Sequence, residues 1–89
     1  MATTISTKDS EEAAFLWTLD DRFTMTGTDI TSNFGRAIVW FKFATDLTEE
    51  AVAGLRADYA AGRMLVEPRK YAYRRAEVRN IILNTRRMT

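Results

Sequence analysis

The alternation of apolar and polar residues predicts a helix near the start of the chain. Asp9-Ser-Glu-Glu12 resembles a capping box, in which Asp9 accepts the Glu12 amide and the Glu12 side chain reaches back to the Asp9 amide. The helix is expected to run to about Leu19, although F-L-W at 15–17 could instead open a strand. Its predicted buried side consists of Ala13, Leu16 and Trp17, with Phe15 as a further candidate. Residues 1–8 are polar and lack periodicity, which predicts a flexible tail.

The middle of the chain has the pattern of a β-hairpin. Phe23 and Met25 alternate with threonines, which predicts a strand over residues 22–31, with Gly27 as a bulge or bend. Turn residues follow at 32–35, and A-I-V-W-F-K-F at 37–43 is the strongest strand signal in the sequence. Both faces of this second strand are largely apolar, so we expect helices to cover one face and something else to cover part of the other.

Two further helices are predicted in the second half. Asp46 or Thr48 caps the first, Gly62 ends it, and Gly54 within it is interpreted as a site of close packing. The predicted core stripe of this helix consists of Val52, Leu55 and Tyr59. Pro68 suits the first turn of the last helix, which runs nearly to the end of the chain. Its predicted core stripe consists of Tyr71, Val78 and Ile82, with Ile81 at the margin.

These elements predict the fold class. We expect a single small α+β domain over residues 9–89, in the order α-β-β-α-α, with a two-stranded antiparallel hairpin packed on helices. Eighty-nine residues leave no room for a second core.

The amino-acid composition limits the catalytic and metal-binding functions that we expect of the protein. The sequence has no cysteine and no histidine, which removes the thiolate and imidazole ligands and the commonest general base. The glycines form no phosphate-binding loop, and the acidic pairs have capping or solvent roles. We therefore expect a non-enzymatic protein without cofactor or metal. No apolar run is long enough for a membrane span, and the polar start is unlike a signal peptide, so the expected location is cytoplasmic.

The net charge of +1 conceals a strong asymmetry. Residues 1–50 hold four basic and nine acidic residues, whereas residues 51–89 hold nine basic and three acidic ones. Arg75, Arg79 and Arg86 are spaced four and seven apart, so they form one row beside the core stripe of the last helix. Other basic residues flank this row on the same helix: Arg69, Lys70, Arg74 and Arg87. Glu77 faces away from the row, which has no acidic partner on its own helix.

Two interpretations of the row remain open. It can pair with the acidic first half of the chain, at residues 9–12 or 20–21, and clamp helix to helix. Alternatively it faces solvent and binds phosphates or an acidic partner, and the predominance of arginine over lysine favours bidentate recognition of such groups.

Two other surfaces are candidates for binding. Tyr73, Asn80 and Asn84 share a polar arc with Arg69 and Arg87, where the tyrosine can stack on a base or simply lie along the helix surface. The alternation of the second strand places Ile38 and Trp40 together, either as core or as an apolar patch for a protein partner.

Several of these segments carry a resemblance to a known family. I-V-W-F-K-F at 38–43, then Leu55, Tyr59, Gly62 and V-E-P-R-K-Y at 66–71 resemble a small uncharacterised domain of bacteriophage and bacterial genomes. The resemblance spans residues 13–83, and the density of arginine after residue 71 departs from it. It implies a phage or mobile-element origin, where small accessory proteins bind nucleic acid or block host machinery.

The leading hypothesis is therefore an accessory protein that binds nucleic acid through the arginine-rich last helix, by neutralising phosphates. The alternative is an inhibitor that binds the acidic surface of a host defence or nucleic-acid-processing complex. A third hypothesis is a homo-oligomer formed through hairpin edges or the apolar sheet face.

Overall fold

An antiparallel sheet forms one layer of the protein, whose computed structural model describes residues 3–88. Its strands are β1 (Thr3–Thr7), β2 (Phe23–Asn33) and β3 (Arg36–Thr45), in the spatial order β1-β3-β2. Three helices complete the fold: α1 (Ser10–Thr18), α2 (Glu49–Ala60) and α3 (Pro68–Met88). The α+β class is confirmed, but over residues 3–88 the order is β-α-β-β-α-α and the sheet has three strands, so the predicted two-stranded hairpin was incomplete.

The strand that the sequence did not predict is β1. Residues 1–8 were expected to be a flexible tail, yet β1 pairs with β3 from Thr3 opposite Thr45 to Thr7 opposite Phe41. The Thr3 hydroxyl also donates a hydrogen bond of 2.8 Å to the Leu47 carbonyl. T-T-I-S-T has β-branched residues but no apolar run, so its strand character depends on the free edge of β3, which lies far away in sequence.

The β2–β3 hairpin has the predicted bulge and turn. The register shifts between Met25 and Gly27, so an extra residue is accommodated there. Asn33 pairs with Arg36, which leaves Phe34 and Gly35 as a two-residue turn with φ of 52° and 76°. Positive φ at both central residues is the geometry of a type I′ turn, whose twist matches that of the strands.

The core lies between the helices and one face of the sheet. Val39, Phe41 and Phe43 of β3 and Phe23 of β2 form this face, and all four are buried. The helices add Ala13, Ala14, Phe15 and Leu16 from α1, Val52 from α2 and Val78 from α3. Trp17, predicted as buried, is only half-buried at the edge of this cluster.

Local capping explains where the helices begin and end. The Asp9 carboxylate accepts hydrogen bonds from the amides of Glu11 and Glu12, as predicted, and the Thr48 hydroxyl accepts one from Ala51 at the start of α2. Gly62, with φ of 73°, follows the last residues of α2 and confirms the predicted stop. Pro68 is the first residue of α3, and the Glu67 carboxylate accepts the Lys70 amide.

Two predictions about the helices were wrong. Glu12 does not complete a capping box, because its carboxylate instead accepts two hydrogen bonds from Arg56 of α2, at 2.8 and 3.1 Å. The Asp9 amide donates to the Thr7 hydroxyl instead. Gly54 is not a site of close packing, since it is exposed and a β-carbon there would meet no atom within 4 Å.

Candidate anion-binding groove

The orientation of α3 is determined by its apolar side. Val78 is buried, and Tyr71, Ile81 and Ile82 pack against the core, which confirms the predicted stripe. With this stripe turned inward, Arg75, Arg79 and Arg86 are all exposed on the neighbouring side of the helix.

The three arginines line one open groove of about 730 Å³ along α3. Its lining also includes the small side chains of Ala72 and Ala76 from α3 and Ser10 from the start of α1. Tyr71 also lines the groove, and burial raises the pKa of its hydroxyl. The hydroxyl therefore stays protonated at neutral pH and can donate a hydrogen bond to an anion.

A second depression of about 320 Å³ has Ile82 and Arg86 in its lining, as the first does, so the two adjoin at these side chains. Lys8, from the segment between β1 and α1, lines this part together with Asn33 and Arg36 from the end of the hairpin. We call the two depressions together the basic groove. Its basic residues come from three separate parts of the chain: Lys8, Arg36, Arg75, Arg79 and Arg86.

No acidic side chain is among the residues from 3 to 88 that line the basic groove. Arg75 makes an ion pair of 3.5 Å with Glu11, in which both side chains are more than half exposed. Exposed pairs of this kind contribute little stability, so an incoming anion can displace Glu11 at small cost. Within the described part of the chain, Arg79 makes no ion pair.

Asp20, from the acidic first half of the chain, pairs with two other basic residues near the start of α3, Lys70 and Arg74. Asp20 accepts a hydrogen bond of 2.8 Å from the Lys70 ammonium and lies 3.6 Å from the Arg74 guanidinium. Arg74 also pairs with Glu77 at 3.3 Å, and its guanidinium lies 4.6 Å from the centre of the Trp17 ring. Lys70 and Arg74, which were predicted as binding residues, thus hold α3 against the end of α1.

Internal pairing therefore accounts for some of the basic residues of α3, and anion binding by the arginine row stays a prediction. The internal clamp applies to Lys70 and Arg74 and, weakly, to Arg75, whereas Arg79 has no carboxylate partner within residues 3–88. Two of the acids proposed as partners are engaged elsewhere, because Asp9 caps α1 and Glu12 binds Arg56.

The polar arc of α3 lies apart from the basic groove. Its members are exposed, and none lines the groove: Arg69, Tyr73, Asn80, Asn84 and Arg87. A hydrogen bond to Glu77 raises the pKa of the Tyr73 hydroxyl, and the Arg74 guanidinium lies 5.6 Å from the Tyr73 ring. Tyr73 is thus engaged with its own helix, and a binding role for this arc stays a prediction.

Ile38 and Trp40 lie on the sheet face away from the helices. Both are half-buried and neither belongs to the core cluster. The Trp40 indole donates a hydrogen bond of 2.9 Å to the Thr31 hydroxyl, and the Lys8 ammonium lies 5.8 Å from the ring centre. Ile38 and Lys8 both line the smaller part of the basic groove, so this patch adjoins the groove.

Sequence reasoning missed three residues at or beside this site. Lys8 was assigned to the tail and Arg36 to no element, and only the packing of the hairpin end against α3 brings them to Arg86. Phe34 was treated simply as part of the turn, yet it is fully exposed and directly follows Asn33, which lines the groove. An aromatic residue inside a turn sequence was the available signal for Phe34.

Comparison with protein-family models, with curated proteins and with solved structures finds no match to this chain. The resemblance to the phage domain therefore stays a prediction. Within residues 3–88, no group of three or more metal-binding side chains lies together, and no helix has the length and apolar character to cross a membrane.

Proposed function

We propose that the protein binds nucleic acid in the basic groove, mainly through phosphates. The observation that carries this proposal is that five basic side chains from three segments line two adjoining depressions, with no carboxylate in their described lining. Clusters of basic residues on a single helix are common. Here Lys8 and Arg36, from distant segments of the chain, lie beside the arginines of α3, and the resulting surface is suited to an extended anion.

The dimensions suit a polyanion. Arg75 and Arg86 are eleven residues apart on α3, a distance of about 16 Å along the axis. One strand of a duplex places phosphates about 3.4 Å apart along its axis, so this length faces roughly five of them. Four of the five basic residues are arginines, whose planar guanidinium can donate two hydrogen bonds to one phosphate.

A salt titration tests this proposal. Neutralising five phosphates predicts that log K falls with log salt at a slope of about −3.5 for a single strand and about −4.5 for a duplex. The measurement is fluorescence anisotropy of labelled oligonucleotides from low to moderate salt. Removing one contact with Arg79→Ala should weaken binding and make the slope shallower by about 0.7 to 0.9.

Arg22→Ala is the matched control, because Arg22 is an exposed arginine outside the groove. Arg22→Ala removes the same charge as Arg79→Ala. Because Arg22 lies outside the groove, its loss should leave the slope of log K against log salt unchanged. If Arg79→Ala and Arg22→Ala changed the affinity and the salt slope equally, binding would depend on net charge alone. That result would reject the groove as the binding site. Failure of the wild-type protein to bind any oligonucleotide at low salt would remove the proposal, and a partner retained from lysate after nuclease treatment would then favour an acidic protein surface.

A further inference from the structure

The tip of the β2–β3 hairpin presents an aromatic ring to solvent. Phe34 occupies the first central position of the turn with φ of 52°, and its side chain is fully exposed. Asparagine and glycine are preferred where φ is positive, because a bulky side chain is strained in this region. Asn33 lies immediately before the strained position, but the turn places phenylalanine there.

The exposed phenylalanine at this turn position does not stabilise the folded protein. An exposed ring buries no apolar surface, and the left-handed backbone lowers stability rather than raising it. Local strain of this kind concentrates at binding and catalytic positions, where a particular presentation of a side chain matters more than stability.

The position of Phe34 connects it to the basic groove. Its neighbour Asn33 and the paired Arg36 both line the smaller part of the groove, so Phe34 is one residue beyond the groove wall. A strand whose phosphates contact Arg36 lies next to the hairpin tip, because Arg36 pairs with Asn33 on either side of the turn that holds Phe34. Aromatic rings stack on bases of any sequence, but only where the bases are unpaired.

We propose that the ligand is single-stranded nucleic acid and that Phe34 stacks on one of its bases while the groove holds the phosphates. This inference rests on the proposed function, since it names the class of nucleic acid that the same groove binds. The charge of the groove supplies affinity, and the ring supplies the preference for single strands.

The test compares a labelled 20-nucleotide oligothymidylate with a 20-base-pair duplex, by anisotropy at one salt concentration. Wild type should bind the single strand more tightly. Phe34→Ala should weaken single-strand binding about tenfold, leave duplex binding unchanged and leave the salt slope unchanged. Phe34→Tyr retains a ring and should restore most of the single-strand affinity.

Leu65→Ala is the matched control, because Leu65 is an almost fully exposed apolar residue between α2 and α3 that does not line the groove. Leu65→Ala should change neither the affinity for the single strand nor the affinity for the duplex. A loss as large as that of Phe34→Ala would indicate a nonspecific effect of surface hydrophobicity and overturn the inference.

Phe34→Asn separates a binding role from a structural one. Asparagine tolerates positive φ, so this variant should melt at a temperature a few degrees higher than wild type while binding the single strand about tenfold more weakly. Higher stability with unchanged single-strand affinity would overturn the inference.

The possible failures are distinguishable. Binding to both ligands with the expected salt slope, but with no selective effect of Phe34→Ala, would overturn the role of Phe34 and leave the groove intact. Absence of binding to both ligands would remove the proposed function and this inference together.

Discussion

Glu12 is a buried carboxylate in the first turn of α1, and only 7% of its surface is exposed. Its two hydrogen bonds from Arg56 compensate for the loss of water around the charge, and they join α1 to α2. The same contact raises the pKa of Arg56, whose guanidinium stays charged at any accessible pH. The pair therefore positions α2 across the core.

Glu12→Gln should lower the free energy of unfolding by about 1 to 3 kcal/mol, because the substitution replaces a charge-assisted pair with a weaker neutral contact. Urea unfolding followed by circular dichroism measures the change. The adjacent Glu11→Gln is the control, since Glu11 is exposed and its pair with Arg75 is weak, and a shift within about 0.5 kcal/mol is expected. Equal shifts for both variants would contradict the role assigned to Glu12.

Gly54 is an exposed glycine in the interior of α2, where a β-carbon has open space. Gly54→Ala should raise the free energy of unfolding by about 1 kcal/mol, because alanine restricts the unfolded chain and favours the helix. Thermal unfolding should shift upward by about 4 to 8 °C for a domain of this size. Gly62→Ala provides the opposite control, because Gly62 has φ of 73° and the substitution should lower the melting temperature. A lower melting temperature for Gly54→Ala would contradict the open space that surrounds Gly54.

At the scale of elements, α1 and α3 are joined by apolar packing, and Asp20, just beyond the end of α1, adds a charged contact with the first turns of α3. The Lys70 ammonium, through its hydrogen bond and charge, lowers the pKa of Asp20 below its ordinary value of 3.8, and Arg74 adds to the effect. Because the pKa is lower in the folded state, the stability that Asp20 contributes is present above about pH 3.8 and is lost as pH falls through the folded-state value.

Asp20→Asn should therefore reduce stability at neutral pH by an amount that shrinks as the pH falls below 3.8. Urea midpoints of wild type and variant, measured from pH 2.5 to pH 7, should converge at the acidic end. Asp21→Asn is the neighbouring control, since Asp21 makes no ion pair within residues 3–88 and its substitution should leave the urea midpoint at neutral pH nearly unchanged. A constant difference across the pH range would contradict the ion-pair role of Asp20.

The ends of the helices could be predicted from the local sequence alone, whereas the strand β1 could not. The stops and starts at Asp9, Thr48, Gly62 and Pro68 were predictable because capping depends on residues within one turn of the helix end. β1 was not predictable in the same way, because five mostly polar residues become a strand only when β3 offers a free edge.

At the scale of the whole molecule, the basic groove is assembled from parts that are distant in sequence. The arginine row of α3 was visible as a spacing, since residues four and seven apart share a helix face. Lys8 and Arg36 join it because β1 sets the position of the following segment and the long hairpin reaches the end of α3. Lys70 and Arg74, which flank the row, pair with Asp20, whereas Arg79 within the row makes no ion pair in the described residues 3–88.

What the sequence determined alone was local: helix ends, strand periodicity, the core stripes and the arginine row all follow from the chemistry of neighbouring residues. What the tertiary structure decided was pairing at a distance. It selected β1 as the third strand, Arg56 rather than the Asp9 amide as the partner of Glu12, and Asp20 as the partner of Lys70. Burial and ion pairing depend on which surfaces meet, and a linear pattern of residues does not contain that information.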